Sequence, residues 1–185
     1  MEPEPEPEPE PEEGRAGAVV AVQLRLVSFG HRHGPPLGCC GGVAPVVCDI
    51  RSVPNVPDKA RRDSCGLQPA LSQLLFRGAN DRHGERARRA YGKVHRTALR
   101  AVTQAQARAR EAGGVGGSGE GKASAAAATG AAEAVAEAVV CVAVGCNSGR
   151  HRSVAFVQRL AAEQWPNGVR VHKLHRDVLD VSRSK

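Results

Sequence analysis

Residues 139–154, VVCVAVGCNSGRHRSV, constrain this chain more than any other stretch, because an apolar β-branched run breaks abruptly into glycine, cysteine and arginine. Val139–Val144 has the composition of a buried strand, and Gly145 and Gly149 free the backbone of the loop that follows. Residues 152–164 then carry Val154, Phe156, Val157, Leu160 and Ala161 as an apolar stripe at helical spacing. Strand, tight loop and helix in that order aim the loop amides along the start of the helix. There the unpaired N–H groups and the positive end of the helix dipole favour an anion. Arg150 and Arg152 add guanidinium groups that can grip a phosphate in bidentate fashion.

The spacing Cys146, five residues, Arg152, Ser153 also resembles the phosphate loop of the cysteine-dependent phosphatases. That likeness implies Cys146 as nucleophile, with its thiol activated by the helix N-terminus, Arg152 holding the phosphate oxygens and Ser153 hydrogen-bonding the leaving thiolate. Asp49 is the one obvious strand-end residue to serve as general acid. Against this reading, those phosphatases usually carry His before the Cys, and here Gly145 stands there. An acid beside Arg51 would also stay ionised and donate a proton poorly. The plain alternative is that Cys146 is a small apolar residue closing a strand.

A chain of 185 residues fits one ordinary domain, and with aromatics at 3% its core must be built from Val, Leu and Ala. The net charge of +7 hides an asymmetry. Residues 1–13 hold seven of the nineteen acids, which leaves 26 basic against 12 acidic residues, or +14, from Gly14 onward. Such an excess points to polyanionic partners, RNA first, with arginines dispersed for solubility as the bland alternative. No apolar run approaches the roughly 18–20 residues of a membrane span, and the N-terminus is acidic where a secretory signal would be basic and then apolar. The expectation is a soluble, cytoplasmic protein with no membrane contact. Six cysteines, Cys39, Cys40, Cys48, Cys65, Cys141 and Cys146, show no CxxC pairing and are expected to be reduced thiols holding no metal. No cofactor is expected.

Residues 1–18 read as a disordered Glu/Pro tail, held extended by its prolines and its charge. A domain over residues 19–178 follows, with a tail at 179–185. Val19–Phe29 is a first strand, and Gly30-His31-Arg32-His33-Gly34-Pro35-Pro36 is a basic loop at its carboxyl end; the i, i+2 histidines suit phosphate or surface duty better than metal. Val46–Ile50 is a second strand that delivers Asp49 and Arg51, either as an ion pair stabilising the turn or as ligand contacts. Gly66–Phe76 is a short helix with Leu67, Leu71, Leu74 and Leu75 inward. Residues 85–111 form a longer one with Tyr91, Val94, Ala98, Ala101, Val102 and Ala105 along one stripe and arginines elsewhere, a solvated face before it is an RNA track. Residues 112–130 are expected to be a flexible Gly/Ala-rich insertion. Its Gly116, Gly121, Lys122 pattern mimics a nucleotide P-loop, but Ala123 stands where Ser or Thr should hold magnesium. Val169–Leu174 is a last strand that places His172, His175, Arg176 and Asp177 near its end. Strands alternating with helical segments predict an α/β fold, a small three-layer sandwich with a mostly parallel sheet of about four strands.

Four blocks at these strand ends, Ser28-Phe29-Gly30-His31-Arg32-His33-Gly34-Pro35, Asp49-Ile50-Arg51 with Pro54-Asn55, Gly145–Val154 and His175-Arg176-Asp177, together resemble the C-terminal domain of the RNase adapter protein RapZ family. The resemblance implies a domain like a phosphofructokinase subdomain that senses glucosamine-6-phosphate and binds regulatory RNA through basic surface residues. It implies that Cys146, Asn147, Ser148, Gly149, His151 and Arg152, with Arg150 and Ser153 in the same loop, line a sugar-phosphate pocket, with Asp49, Arg51 and His31 around it. Arg32, His33, His175 and Arg176 are then the candidates for RNA contact. Full-length members carry an N-terminal P-loop domain without counterpart here, so ATP or GTP binding does not transfer through it. Bacterial members also read Asn-Pro-His where this chain reads Asn55-Val56-Pro57. The expected function is a non-enzymatic module for a sugar phosphate or nucleotide and for RNA, with a phosphatase as the rival and a homo-oligomer left open.

Overall fold

The structure, a computed structural model, describes residues 20–62, 64–77, 81–113 and 137–178. The Glu/Pro tail, most of the Gly/Ala-rich insertion with its P-loop mimic, and the tail at 179–185 lie outside the described residues. The elements run β1 (Val22–Gly30), a single 3-10 turn (His31–His33), β2 (Val46–Asp49), α1 (Asp58–Arg62), α2 (Pro69–Phe76), α3 (Arg82–Gly113), β3 (Ala138–Cys146), α4 (Arg152–Ala161) and β4 (Val169–His175). The four strands form one all-parallel sheet in the order β2-β3-β1-β4. Gly30 lies beside Cys146, Asp49 beside Gly145 and Ser28 beside His175, so all four carboxyl ends finish at one level.

Strand alternation divides the core in two. Val22, Leu24 and Leu26 of β1 and Val140, Val142 and Val144 of β3 face the helices, where they meet Leu71, Leu75 and Phe76 of α2, Tyr91, Val94, Ala98 and Val102 of α3, and Phe156, Val157 and Leu160 of α4. Each large apolar side chain buried in this way contributes about 1.5–3 kcal/mol. The expected α3 stripe is thus the buried one. Leu67 and Leu74 depart from expectation and are exposed, because the helix starts only at Pro69 and its core face centres on Leu71, Leu75 and Phe76.

The direction of the crossovers explains why helices gather on one face. The steps β2 to β3 and β3 to β4 travel the same way across the sheet, so right-handed connections place α2, α3 and α4 together. The step β1 to β2 travels the other way, and its connection, residues 31–45, is carried over the opposite face. That layer is thin: Cys40, with Cys39 beside it, packs on Val27, Phe29, Cys141 and Ala143. It is also covalently tied, for Cys40 and Cys141 form a disulfide across 101 residues of sequence. The expectation of six reduced thiols is corrected at this pair. No spacing motif announces it, because the contact depends on which face the connection crosses.

Chain-entropy arguments give a bridge closing so long a loop about 4–5 kcal/mol of stability. Reduction with dithiothreitol, or Cys40→Ser, should lower the urea midpoint accordingly; an unchanged midpoint in reducing and oxidising buffer would mean that packing alone holds this layer.

Candidate functional site

At the strand ends, the loops after β1, β3 and β4 are built into one another. A Cβ placed on Gly30 would come within 2.6 Å of the Gly149 nitrogen and closer still to the Ser148 carbonyl carbon, and Gly149 itself has φ 72°. Both positions therefore require glycine. The Arg32 N–H donates to the Asn147 carbonyl at 3.1 Å, and the Gly30 N–H donates to Asp177 Oδ2 at 2.6 Å. Arg176 fastens the β1 loop from the other side. Its Nη1 donates to the Pro35 carbonyl at 2.7 Å, its Nη2 to the carbonyls of Gly34 and Gly30 at 3.1 and 3.2 Å, and its Nε to Asp177 Oδ1 at 2.9 Å. Burial pushes the Asp177 carboxyl up, but hydrogen bonds from Arg176 and Gly30, with the Arg176 and His33 charges, outweigh it and hold the carboxyl below the usual carboxylate range.

The cysteine of the central loop faces inward. Cys146 is 2% exposed, with its Sγ 3.2 Å from Ser153 Oγ. A Cβ on Gly145 would lie 2.5 Å from the Phe29 ring and 2.6 Å from His31 Nε2, so no side chain fits where the phosphatases carry histidine. Asp49 is held by its neighbour: Arg51 donates from its backbone N–H and Nε to Oδ1 and from Nε and Nη2 to Oδ2, at 2.7–3.1 Å. Those side-chain bonds, ahead of the Arg51 and His31 charges, keep the Asp49 carboxyl below its ordinary range. The expected Asp49–Arg51 ion pair is therefore formed. His31 Nε2 lies 3.5 Å from Asp49 Oδ1, outside hydrogen-bond geometry.

Arg152 is placed otherwise than the anion-loop reading expects. It is 6% exposed, and its Nη1 donates to the carbonyls of Arg51, at 3.1 Å, and Val53. It ties the first turn of α4 to the turn after β2. His151 precedes the helix with its Nε2 3.1 Å from the Ser64 carbonyl, and Gly66 seats there too, its N–H donating to the Arg150 carbonyl at 2.9 Å. What remains for a ligand is the outer loop. Among the described residues, no acceptor meets the backbone amides of Asn147, Ser148, Gly149 and Arg150. Two buried side-chain nitrogens, His31 Nε2 and Arg150 Nε, also lack hydrogen-bond partners there. They belong to the two loops that meet at Gly30 and Ser148.

Of the four residues expected to touch RNA, Arg32 and His33 are exposed, whereas Arg176 is the clamp just described and His175 is half-buried. Lys173 Nζ donates to Gln158 Oε1 at 2.7 Å, so the Gln158 amide nitrogen must donate to His175 Nε2, 3.0 Å away. The His175 proton consequently sits on Nδ1, which donates to Ser28 Oγ at 2.9 Å. This relay needs a neutral imidazole. Burial first, and the Lys173 charge second, lower the His175 pKa accordingly. Among the described residues, no cluster of three His, Cys, Asp or Glu side chains could hold a metal ion, and no helix is long and apolar enough to cross a membrane.

The chain is similar to known proteins over these elements. The family model of the RapZ C-terminal domain matches residues 121–179, which include β3, the Cys146–Arg152 loop, α4 and β4. A protein of Thermus thermophilus named as nucleotide-binding is 36% identical over 156 residues, 84% of this chain and 42% of that protein. One of Deinococcus radiodurans, also named nucleotide-binding protein, is 30% identical over 160 residues, 85% of this chain and 43% of that protein. The chain thus spans less than half the length of the curated relatives it matches.

The His175 relay has a pH signature. Its folded pKa lies below the ordinary value of about 6.5, so the unfolded chain takes up the proton first as pH falls. The stabilisation is complete above about 6.5 and is lost as pH falls from there through the folded pKa. In denaturant titrations between pH 7.5 and 5, His175→Gln should flatten this part of the slope; equal slopes in both proteins would contradict the relay.

Proposed function

We propose that this chain, whose likeness to the RapZ C-terminal domain is carried by residues 121–179, is a non-enzymatic module that holds a phosphorylated sugar or nucleotide in the loop from Cys146 to Arg152. The observation that carries the reading is a pair of buried nitrogens without hydrogen bonds, His31 Nε2, with the Asp49 carboxylate 3.5 Å away, and Arg150 Nε, beside the unpaired amides of residues 147–150. Phosphate oxygens are the acceptors such donors lack. The nucleotide-binding names of the relatives support a ligand of nucleotide type, and the family resemblance supports a sugar phosphate such as glucosamine-6-phosphate.

The same geometry speaks against a phosphatase. An attacking thiolate must reach phosphorus in line, yet Cys146 is buried against Ser153. An acid must protonate the leaving oxygen, yet Arg51 keeps Asp49 ionised. On this reading Cys146 supports the loop from within, against Ser153, and does not react. The basic surface, with Arg32 and His33 at the strand ends and the exposed arginines of α3, supports RNA as a second, electrostatic partner.

Calorimetric titration with glucosamine-6-phosphate and with nucleotides tests the pocket. Arg150→Ala should lose about one to two decades of affinity, as loss of a charge-assisted hydrogen bond of about 1.5–3 kcal/mol implies, without turnover of p-nitrophenyl phosphate in the parent protein. Unchanged affinity in the variant would remove the loop assignment, and turnover abolished by Cys146→Ser would put the enzyme first. For RNA, log affinity should fall with log salt by about 0.7 per phosphate contact on single strands; absence of binding at low salt would reduce the charge to solvation.

A further inference from the structure

The helices do not cover the inner face of the sheet out to its edge. β2 is a terminal strand, and its Val46 and Cys48, paired with Val142 and Val144, point to the side on which the helices lie. α3 packs over β3 and β1, one and two places in from β2, so the inner face of β2 lies beyond the helix's cover. Val46 is consequently 36% exposed, and Cys48 is only half-buried. Between β2 and α3 runs a cleft of about 740 Å³, within the range of about 300–1,000 Å³ that small-ligand sites occupy.

The cleft is apolar in its depth and cationic along one lip. Cys48, Ile50 and Val53 line it from the β2 side and Ala90 and Val94 from α3. Burial pushes the Cys48 thiol above its ordinary range, so at neutral pH it is an uncharged, weakly polar wall. Arg86, Arg89 and Lys93 form the lip, and their spacing of three and four residues sets them in one row along about 10 Å of helix. Among the described residues, Arg86 and Lys93 form no ion pair, and Arg89 shares Glu85. The one acid lining the cleft, Asp49, is held by Arg51. The cationic row therefore keeps its charge for a ligand.

Each half of this arrangement is poorly served by a partner that suits only the other. A small inorganic anion meets the cations and leaves the apolar depth wet, while a neutral apolar molecule fills the depth and leaves the cations unmatched. A molecule with an apolar body and an anionic end satisfies both, because the body covers apolar surface and the guanidinium and ammonium groups give charge-assisted hydrogen bonds. We propose that this cleft is a second ligand site, separate from the loop after β3, and that it takes an anionic amphiphile of the medium-chain carboxylate class. The alkyl chain lies between Cys48 and Val94, and the carboxylate meets Arg86 and Lys93.

Calorimetry and amide NMR on the full chain, with decanoate below the concentration at which it forms micelles, test the site. Decanoate should saturate at one equivalent and move the amides of residues 47–53 and 86–97. Decanol, of the same length but uncharged, should bind about tenfold or more weakly, as loss of a charge-assisted hydrogen bond implies. Inorganic triphosphate should move the amides of the cationic row and leave that of Cys48 in place. Arg86 and Lys93 are exposed, so their joint reversal (R86E, K93E) leaves the core intact. That variant should lose about tenfold or more of the affinity for decanoate and keep the affinity for decanol. Equal binding of decanol and decanoate overturns the proposal, as does unchanged affinity for decanoate in the variant. Uptake of decanoate without saturation overturns it too, since that is adsorption of a detergent. So does a single-stranded oligouridylate that moves the Cys48 and Ile50 amides as decanoate does, which would assign the cleft to nucleic acid.

Discussion

Everything at the carboxyl end of the sheet depends on two backbones touching where β1 and β3 run out. Gly30 and Gly149 approach so closely that neither tolerates a Cβ, and the contact is possible only because β1 and β3 end in register, Gly30 beside Cys146. The approach does two things at once. It puts the His31 and Arg150 loops side by side, and it leaves room outside them for Asp177, whose carboxylate takes the Gly30 N–H and the Arg176 guanidinium together. Arg176 then spends its donors on the carbonyls of Gly30, Gly34 and Pro35, so the basic loop after β1 is fixed by a residue some 140 positions away in sequence. The site is thus preorganised by backbone and ion-pair contacts rather than by the loop's own composition.

The two arginines that flank His151 divide the labour in a way their spacing conceals. Arg152 lies in the position that a phosphate loop uses for its guanidinium, yet it is turned inward to backbone carbonyls after β2, and Arg150 keeps an unpaired nitrogen. Burying a guanidinium is tolerable only where its donors are met. The carbonyls of Arg51 and Val53 meet two of those needs, and in doing so they carry the Asp49–Arg51 turn to the start of α4. Cys146 and Ser153 follow the same logic, since each satisfies the other inside the core. A motif read as chemistry along the chain is, in three dimensions, partly a joint between helix and sheet.

How much of this was legible follows from whether a feature is local. The strands at 22–30, 46–49, 138–146 and 169–175 were written in β-branched runs and their turn residues, and the buried face of α3 in a repeat of three and four residues. The strand-end placement of Asp49, the Cys146 loop and His175-Arg176-Asp177 followed from the parallel α/β pattern. α1, five residues without an apolar stripe, escaped, as did the exposure of Leu67, which precedes the helix start at Pro69, and of Leu74, which lies beside the face that Leu71 and Leu75 bury. The Cys40–Cys141 bridge and the neutral His175 relay were invisible for a different reason. Each joins segments whose proximity is decided by topology, and nothing in the residue types alone says that Gln158 faces Lys173 on one side and His175 on the other.

That topology also explains why covalent support falls where it does. With three of the four strands entered or left by right-handed connections running one way, the helices accumulate on a single face and bury a continuous core there. The reverse step from β1 to β2 has no helix to offer, only residues 31–45, whose apolar contribution is little more than Cys39 and Cys40 against Val27, Phe29 and Ala143. So small an area contributes little hydrophobic free energy, while ordering a connection of this length costs about 1–2 kcal/mol per residue in backbone entropy. A cross-link to the central strand offsets part of that cost by shortening the unfolded chain's freedom. Phe29, which this layer covers, is the ring against which Gly145 and His31 are set. The bridge on the far face thereby steadies the floor beneath the Cys146–Arg152 loop, whose support is traced in part to the face of the sheet opposite the helices.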